Sequence, residues 1–394
     1  MPSRPKGEEG SVGVKVAMYN VTTTAYYGGV ETFVWKVSEA LARRGIEVSI
    51  LGGRGVGAPT SSGAGRHEPV EGVTVKTFPF LKRRYVAGFG SRIRKFVERL
   101  SFAVFSIQEL VRGQYHIIHI HKPYDMPTAI LAKRLAGAKV VFGSQGTDFF
   151  PGDRIFAGGM DAFVACSRFN ALQIKDRYGR LPEVIYNGVD DEGFSPVPTD
   201  ERVMLRTALG VNPDERCIVY AGRLVGWKGV DLLIRAFKDV NETFSSRLFI
   251  VGDGEKRAEL ESLAGCLGIS ERVEFTGFRP HAEVARYYRA SDVAVFPSVG
   301  SEAFDISLCE AMACETAVVA TANGGHLELV IDAQTGLLVT SGDTDALRCA
   351  ILRLLKDDGL RQRLAMAARE SVMAEFTWDA VAERLARVYA MLLR

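Results

Sequence analysis

No stretch of this 394-residue sequence stays apolar for the roughly 18 residues that a membrane-spanning helix needs, so no transmembrane segment is expected. The first ten residues are polar and charged and lack the apolar centre of a secretory signal. Cys166, Cys217, Cys266, Cys309, Cys314 and Cys349 are scattered, with no Cys-x-x-Cys pair. That spacing excludes a zinc ribbon or a disulfide framework and leaves six reduced thiols. These absences together describe a cytoplasmic protein. One Asp-x-Asp triplet, Asp343-Thr-Asp345, imitates a metal-binding motif, but it heads an amphipathic run from Ala346 to Leu355 and reads as a helix N-cap. No metal site and no cofactor is therefore expected. Strong net charge is absent as well: the whole carries +2. That balance hides a basic first half, residues 1–200, and an acidic second half. A basic half suits an anionic acceptor or a membrane surface, and no nucleic-acid partner is expected.

What is present describes an ordinary globular chain, 47% apolar and 24% charged, too long for one core. Short apolar runs alternate with amphipathic ones throughout, the pattern of parallel sheets flanked by helices. The first strand is Lys15 to Tyr19, followed by Gly28-Gly29 and a helix from Val30 to Arg44 that Gly45 closes. Further strands are expected at Glu47–Leu51, Val73–Phe78, Ile117–Ile120, Lys139–Gly143, Ala162–Ala165 and Glu183–Tyr186, with a Gly/Ser-rich loop over residues 52–66. Pro196 and Pro198 mark a linker, after which Cys217–Tyr220, Arg247–Val251, Val273–Phe275, Val293–Phe296, Ala317–Ala320 and Gly336–Val339 form a second series. The expected fold class is therefore α/β, two doubly wound Rossmann-like domains, with residues 1–192 and 193–376 as the domains and 377–394 as a terminal amphipathic helix.

Two loops carry the chemistry. The buried strand Asp292-Val-Ala-Val-Phe-Pro297 leads into Ser301-Glu302-Ala303-Phe304-Asp305 and then a short helix bearing Glu310. The strand ending at Tyr220 leads into Ala-Gly-Arg223-Leu-Val-Gly-Trp-Lys228-Gly. In an open α/β sheet, ligands bind at the carboxyl ends of strands. Two carboxylates and two cations there suit a ligand with both hydroxyls and phosphates. A solvated Arg–Lys pair and a structural ion pair at Glu310 are the bland alternatives.

These motifs resemble those of the retaining glycosyltransferases of family 4. Glu302 and Glu310 match the family's E-x7-E pattern, and Arg223 and Lys228 look like its R-x4-K diphosphate clamp. Gly28-Gly29, His119-Ile-His121, Asn187-Gly-Val-Asp190, Gly252-Asp-Gly254 and Gly324-Gly325 extend the match over nearly the whole chain. The resemblance implies the GT-B fold, its two domains facing a cleft and its C-terminal helix crossing back to the N-terminal domain. It implies transfer of a hexose from a UDP- or GDP-sugar to a glycan or lipid-linked acceptor, without metal. His121, Arg223, Lys228 and Glu302 are then the catalytic candidates. Gly28, Gly29, Gly252, Gly254, Phe278, Phe304, Asp305, Ile306, Ser307 and Glu310 are the nucleotide-sugar-binding ones. A catalytically silent GT-B scaffold and a sugar-nucleotide epimerase are the rival functions.

Two departures from the pattern stand out. Asp305 replaces a usual Gly and places an anion near the phosphates, unless it serves as an N-cap or turns away. Cys314-Glu315-Thr316 replaces a usual Gly-containing turn. His119 is assigned to the strand's other setting and a structural role, and His67, His281 and His326 to no constellation. Finally, Lys82-Arg83-Arg84-Tyr85 and the run from Arg92 to Leu100 are densely basic. Arg92, Lys95 and Arg99 form a helical stripe that would suit peripheral contact with the inner face of the membrane, against a solvated helix face as the alternative.

Overall fold

The computed structural model describes residues 13–26, 28–55, 71–82, 90–146 and 148–394. Two sheets form. The first has seven strands: β1 (Lys15–Tyr19), β2 (Glu47–Gly55), β3 (Val73–Phe80), β4 (Ile117–Ile120), β5 (Lys139–Ser144), β6 (Ala162–Ala165) and β7 (Glu183–Val184), in the order β3-β2-β1-β4-β5-β6-β7. The second has six: β8 (Arg216–Ala221), β9 (Ser246–Val251), β10 (Val273–Gly277), β11 (Val293–Phe296), β12 (Ala317–Thr321) and β13 (Leu337–Val339), in the order β10-β9-β8-β11-β12-β13. The order reverses beside β1 in one sheet and beside β8 in the other. Those are the switch points at which doubly wound sheets open a crevice.

The strands read as unbroken apolar runs because both faces of each sheet are covered. In the second sheet Ile218, Ile250 and Val295 enter one core, while Val219, Phe249 and Ala294 enter the other, the period-two alternation that a pleated strand imposes. In the first sheet Tyr19, Ile118, Ile120 and Phe142 share a core with Phe102 of the helix Ser91–Arg112.

Contacts divide the chain into two units: 1–164 with 174–183 and 382–394, and 165–173 with 184–381. The last helix, Trp378–Leu393, thus begins in the second unit and crosses to the first. Within the first unit its Tyr389 is buried, with the hydroxyl 2.7 Å from Nδ1 of His119. Among the described residues no helix is long and apolar enough to cross a membrane.

Three local expectations are corrected. Strand β2 runs through Gly52 and Gly53, where a loop was expected; residues 56–66 of that loop lie outside the described residues. A Cβ on Gly53 would stand 2.6 Å from the Phe80 ring, so here glycine permits close packing and does not mark a turn. His119 shares a face with His121, their rings stacked at 4.5 Å, as residues two apart on a strand must.

The basic stripe is also reversed. Arg99 is buried and ion-paired with Asp125, and Lys95 is paired with Asp148, so of the three only Arg92 is exposed. The helix instead turns Ile93, Phe96 and Leu100 outward. Arg83, Arg84 and Tyr85 lie outside the described residues. Arg92, Lys95 and Arg99 therefore do not form a cationic face for a bilayer.

Candidate active site

The second sheet positions a cluster of buried charges. Strand β8 ends in a loop that tightens into a single turn, Gly226–Lys228, before the helix Val230–Thr243. Gly229 makes that entry possible: its φ is +66°, and a Cβ would lie 2.2 Å from the Pro297 carbonyl oxygen. The close approach brings Lys228 beside the loop after β11. Its Nζ lies 2.6 Å from Oε1 of Glu302 and 2.9 Å from Oδ2 of Asp305. All three side chains are buried. Burial works to lower the Lys228 pKa, but Asp305 and Glu302 outweigh it and hold the ammonium charged well above its ordinary value.

Each carboxylate has further partners. Ser298 Oγ donates to Glu302 Oε1 at 2.7 Å. Asp305 is the N-cap of the helix Ile306–Ala313, its Oδ1 accepting the Ser307 amide at 3.1 Å. Its Oδ2 also faces His326 Nε2 at 3.4 Å, while His326 Nδ1 donates to the Thr321 carbonyl at 3.0 Å. Burial pushes the Asp305 carboxyl up, and Lys228 and His326 more than reverse that, leaving it far below the usual carboxylate range. Asp305 thus acts as an N-cap and as a counter-ion for Lys228. His326 was the partner that sequence reasoning missed. Its one visible signal is its place shortly after β12, directly behind Gly324-Gly325.

Arg223 is exposed, its guanidinium 5.8 Å from the centre of the Trp227 ring, with Lys228 Nζ 5.1 Å from the same ring. One indole therefore flanks both clamp cations. Glu310 is buried on the short helix, with Oε1 3.3 Å from Nδ1 of His281. His281 is thus a second histidine that joins a predicted residue. Gly252 and Gly254 line the turn after β9, where a Cβ would meet the Gly222 carbonyl oxygen at 2.0 Å and the Leu224 carbonyl oxygen at 2.3 Å. Phe278 is half exposed, and Phe304 packs near Tyr186 and Phe376. Ile306 and Ser307 open the short helix.

The remaining expected residues belong to the first unit. Gly28 and Gly29 stand at the start of the helix Gly29–Arg43, Gly28 in extended backbone that any residue adopts. His121 follows β4, buried, edge-on to Phe33 at 5.6 Å, and among the described residues neither ring nitrogen has a hydrogen-bond partner. Burial, then His119, Lys122 and Arg99, hold its pKa well below the ordinary value, so the ring is neutral.

Glu302, Asp305 and His326 offer ligand atoms within 4.8 Å of one another, a spacing compatible with a divalent ion. The Lys228 ammonium already contacts two of the three. Asp343, the other metal-like feature, caps the helix Thr344–Lys356 through the Ala346 amide at 2.8 Å.

Known proteins resemble the chain in both of its halves. The family description "Glycosyl transferases group 1" matches residues 203–371, and "Glycosyltransferase Family 4" matches residues 27–192. A D-inositol 3-phosphate glycosyltransferase of Xylanimonas cellulosilytica is 32% identical across 97% of both chains. Sucrose-phosphate synthase from Thermosynechococcus elongatus superposes with a TM-score of 0.80 at 24% identity, covering 96% of this chain and 99% of that one. Anabaena Alr3699/HepE, solved in complex with UDP and glucose, gives 0.79 at 21% identity, covering 96% and 100%.

Proposed function

The chain belongs to glycosyltransferase family 4, and from that premise we propose that it moves a hexose from a UDP- or GDP-sugar to a glycan or lipid-linked acceptor with retention of configuration and without a metal. The observation that carries the reading is the placement of Lys228 between Glu302 and Asp305 at the end of β11, with Arg223 beside it at the end of β8. Sugar transfer needs a nucleoside diphosphate to depart with its charge neutralised. A permanent guanidinium and a buried ammonium serve that purpose. Glu310 receives the ribose hydroxyls, exchanging its His281 contact for them. Glu302 faces the donor sugar, and the short helix lends its N-terminal amides to the distal phosphate. His121, whose two ring nitrogens have no hydrogen-bond partner among the described residues, is the first unit's candidate for contact with a substrate hydroxyl. With no side chain assigned as a nucleophile, the reaction is a same-face substitution through an oxocarbenium-like state. The leaving phosphate takes the acceptor's proton.

A panel of UDP- and GDP-sugars tests this through nucleoside diphosphate release, with the product anomer read by NMR. An inverted product would overturn retention. One observation favours a silent nucleotide-binding subunit instead: Asp305 occupies both the Lys228 ammonium and the Ser307 amide. Nucleotide binding without release from any donor would select that alternative. Activity is expected to survive EDTA, because Lys228 occupies the place that a metal would take. Loss on chelation, restored by Mg²⁺ or Mn²⁺, would contradict the metal-free reading.

Glu310→Ala and Arg223→Ala are each expected to lower turnover about tenfold to a hundredfold while leaving the fold intact. Each removes a charge-assisted contact of about 1.5–3 kcal/mol. Near-normal kcat/KM in either variant, with circular dichroism unchanged, would count against the assigned roles.

A further inference from the structure

The two cations proposed to clamp the diphosphate are held in different ways. Lys228 sits between Glu302 and Asp305, at 2.6 and 2.9 Å, so its charge is more than balanced before any ligand arrives. Arg223 has no such partner. Among the described residues its side chain makes no ion pair and no hydrogen bond, and the contact that holds it is the Trp227 ring, 5.8 Å from Cζ to the ring centre.

An exposed arginine with nothing to hold it samples many rotamers. An aromatic face changes that. It attracts a guanidinium through the ring quadrupole, without supplying a counter-charge. A carboxylate in the same place would fix the side chain and cancel the charge that a diphosphate needs. The indole fixes it and leaves both the charge and the N–H donors unspent.

The ring can do this only if it is itself held. Trp227 lies in the single turn Gly226–Lys228, and its carbonyl oxygen accepts the amides of Val299 at 2.9 Å and Gly300 at 3.1 Å. Those two belong to the loop that follows β11 and leads to Glu302. Gly300 fits closely against the indole side chain: a Cβ there would stand 2.9 Å from the Trp227 Cβ. Trp227 therefore joins the loop that carries the clamp to the loop that carries Glu302 and Asp305. The indole is 36% exposed and Arg223 is exposed too, so a ligand can reach the pair.

We infer that Trp227 is a positioning residue for the diphosphate: its indole holds Arg223 in place and still fully charged, and so raises nucleotide affinity through Arg223. Lys228 Nζ lies 5.1 Å from the same ring, but its two carboxylates already fix it. Rotamer freedom given up before binding is not lost again on binding, which is how preorganisation adds affinity. The inference rests on the glycosyltransferase reading above, since it needs Arg223 to meet a diphosphate.

The test is a double-mutant cycle on the full chain, with UDP and GDP titrated by calorimetry. Trp227→Leu should raise Kd about three- to tenfold, and Trp227→Phe, which keeps an aromatic face, by less. In an Arg223→Ala background Trp227→Leu should have no further effect, because the residue it positions is gone. A second measurement leaves side-chain shape nearly unchanged. Growth on monofluorinated or trifluorinated tryptophan replaces Trp35, Trp227 and Trp378 together and weakens the ring's attraction for a cation stepwise. Kd should rise with fluorine content in the wild type and not in Trp227→Phe. Equal losses from Trp227→Leu with and without Arg223 would make the indole a plain structural bolt and overturn the inference. So would an affinity indifferent to Trp227→Leu or, if that variant does not fold, to fluorination. Those outcomes leave the clamp standing so long as Arg223→Ala alone weakens binding. A Kd that ignores Arg223→Ala, or no saturable UDP or GDP binding at all, would count against the glycosyltransferase reading itself, and the inference would fall with it.

Discussion

Lys228→Met is expected to be the most damaging single change in the second unit. It should lower stability by about 3–5 kcal/mol, the usual cost of removing one partner from a buried ion pair. The reason is geometric. Glu302 and Asp305 are both buried, and the ammonium touches both. Without it, Glu302 keeps only Ser298, and Asp305 keeps its helix-capping contact and His326. Turnover should fall together with stability, by about 10²–10³ if Lys228 also steadies the departing diphosphate. Urea unfolding and nucleoside diphosphate release check the two effects separately. A stability loss below about 1 kcal/mol would mean that water or rearrangement already neutralises the pair. A normal turnover would remove Lys228 from the diphosphate.

The alternating strands, the order of the two helix-opening loops and the E-x7-E spacing were all legible, because each is a local pattern. Strand length, apolar content and turn residues are written within a few positions of one another. What failed to show were contacts made across the chain. Asp305 is visible as a helix cap from its own neighbourhood, but Lys228 lies 77 residues upstream, and no spacing announces that they meet. His326 and His281 looked idle for the same reason, since Asp305 and Glu310 reach them only through the packing of β11 against β12 and of the helix His281–Ala290.

The basic run over Arg92–Arg99 shows a different limit. Helical periodicity sorts residues into faces without saying which face turns inward. Asp125, buried at the start of the helix Met126–Ala136, draws Arg99 in, and the apolar residues opposite are left outside. Gly52 and Gly53 show a third limit, because glycine marks both turns and tight packing, and only the position of Phe80 distinguishes them.

Asp305→Asn is expected to do the reverse of most site substitutions and tighten nucleotide binding. Asp305 neutralises part of the Lys228 charge, and an incoming diphosphate meets that carboxylate as well as the cation. At an effective dielectric near 20, two unit charges about 4 Å apart interact by about 4 kcal/mol, and at twice the distance by about half that. Removing one anion beside the clamp should therefore lower the Kd for UDP or GDP by about tenfold or more, ~1.4 kcal/mol at the lower bound. Asparagine caps helices about as well as aspartate, so the bond to the Ser307 amide survives the change. Lys228 keeps Glu302, so no buried charge is orphaned. Calorimetric titration of both proteins with UDP and GDP decides the matter. An unchanged or weaker Kd in the variant would mean that Asp305 leaves Lys228 when the diphosphate arrives, or contributes a contact of its own to the donor. A tighter Kd with slower turnover would identify Asp305 as the group that keeps the spent nucleotide from lingering. In that case, the anion that looked like a defect in the family's loop is what lets the site empty.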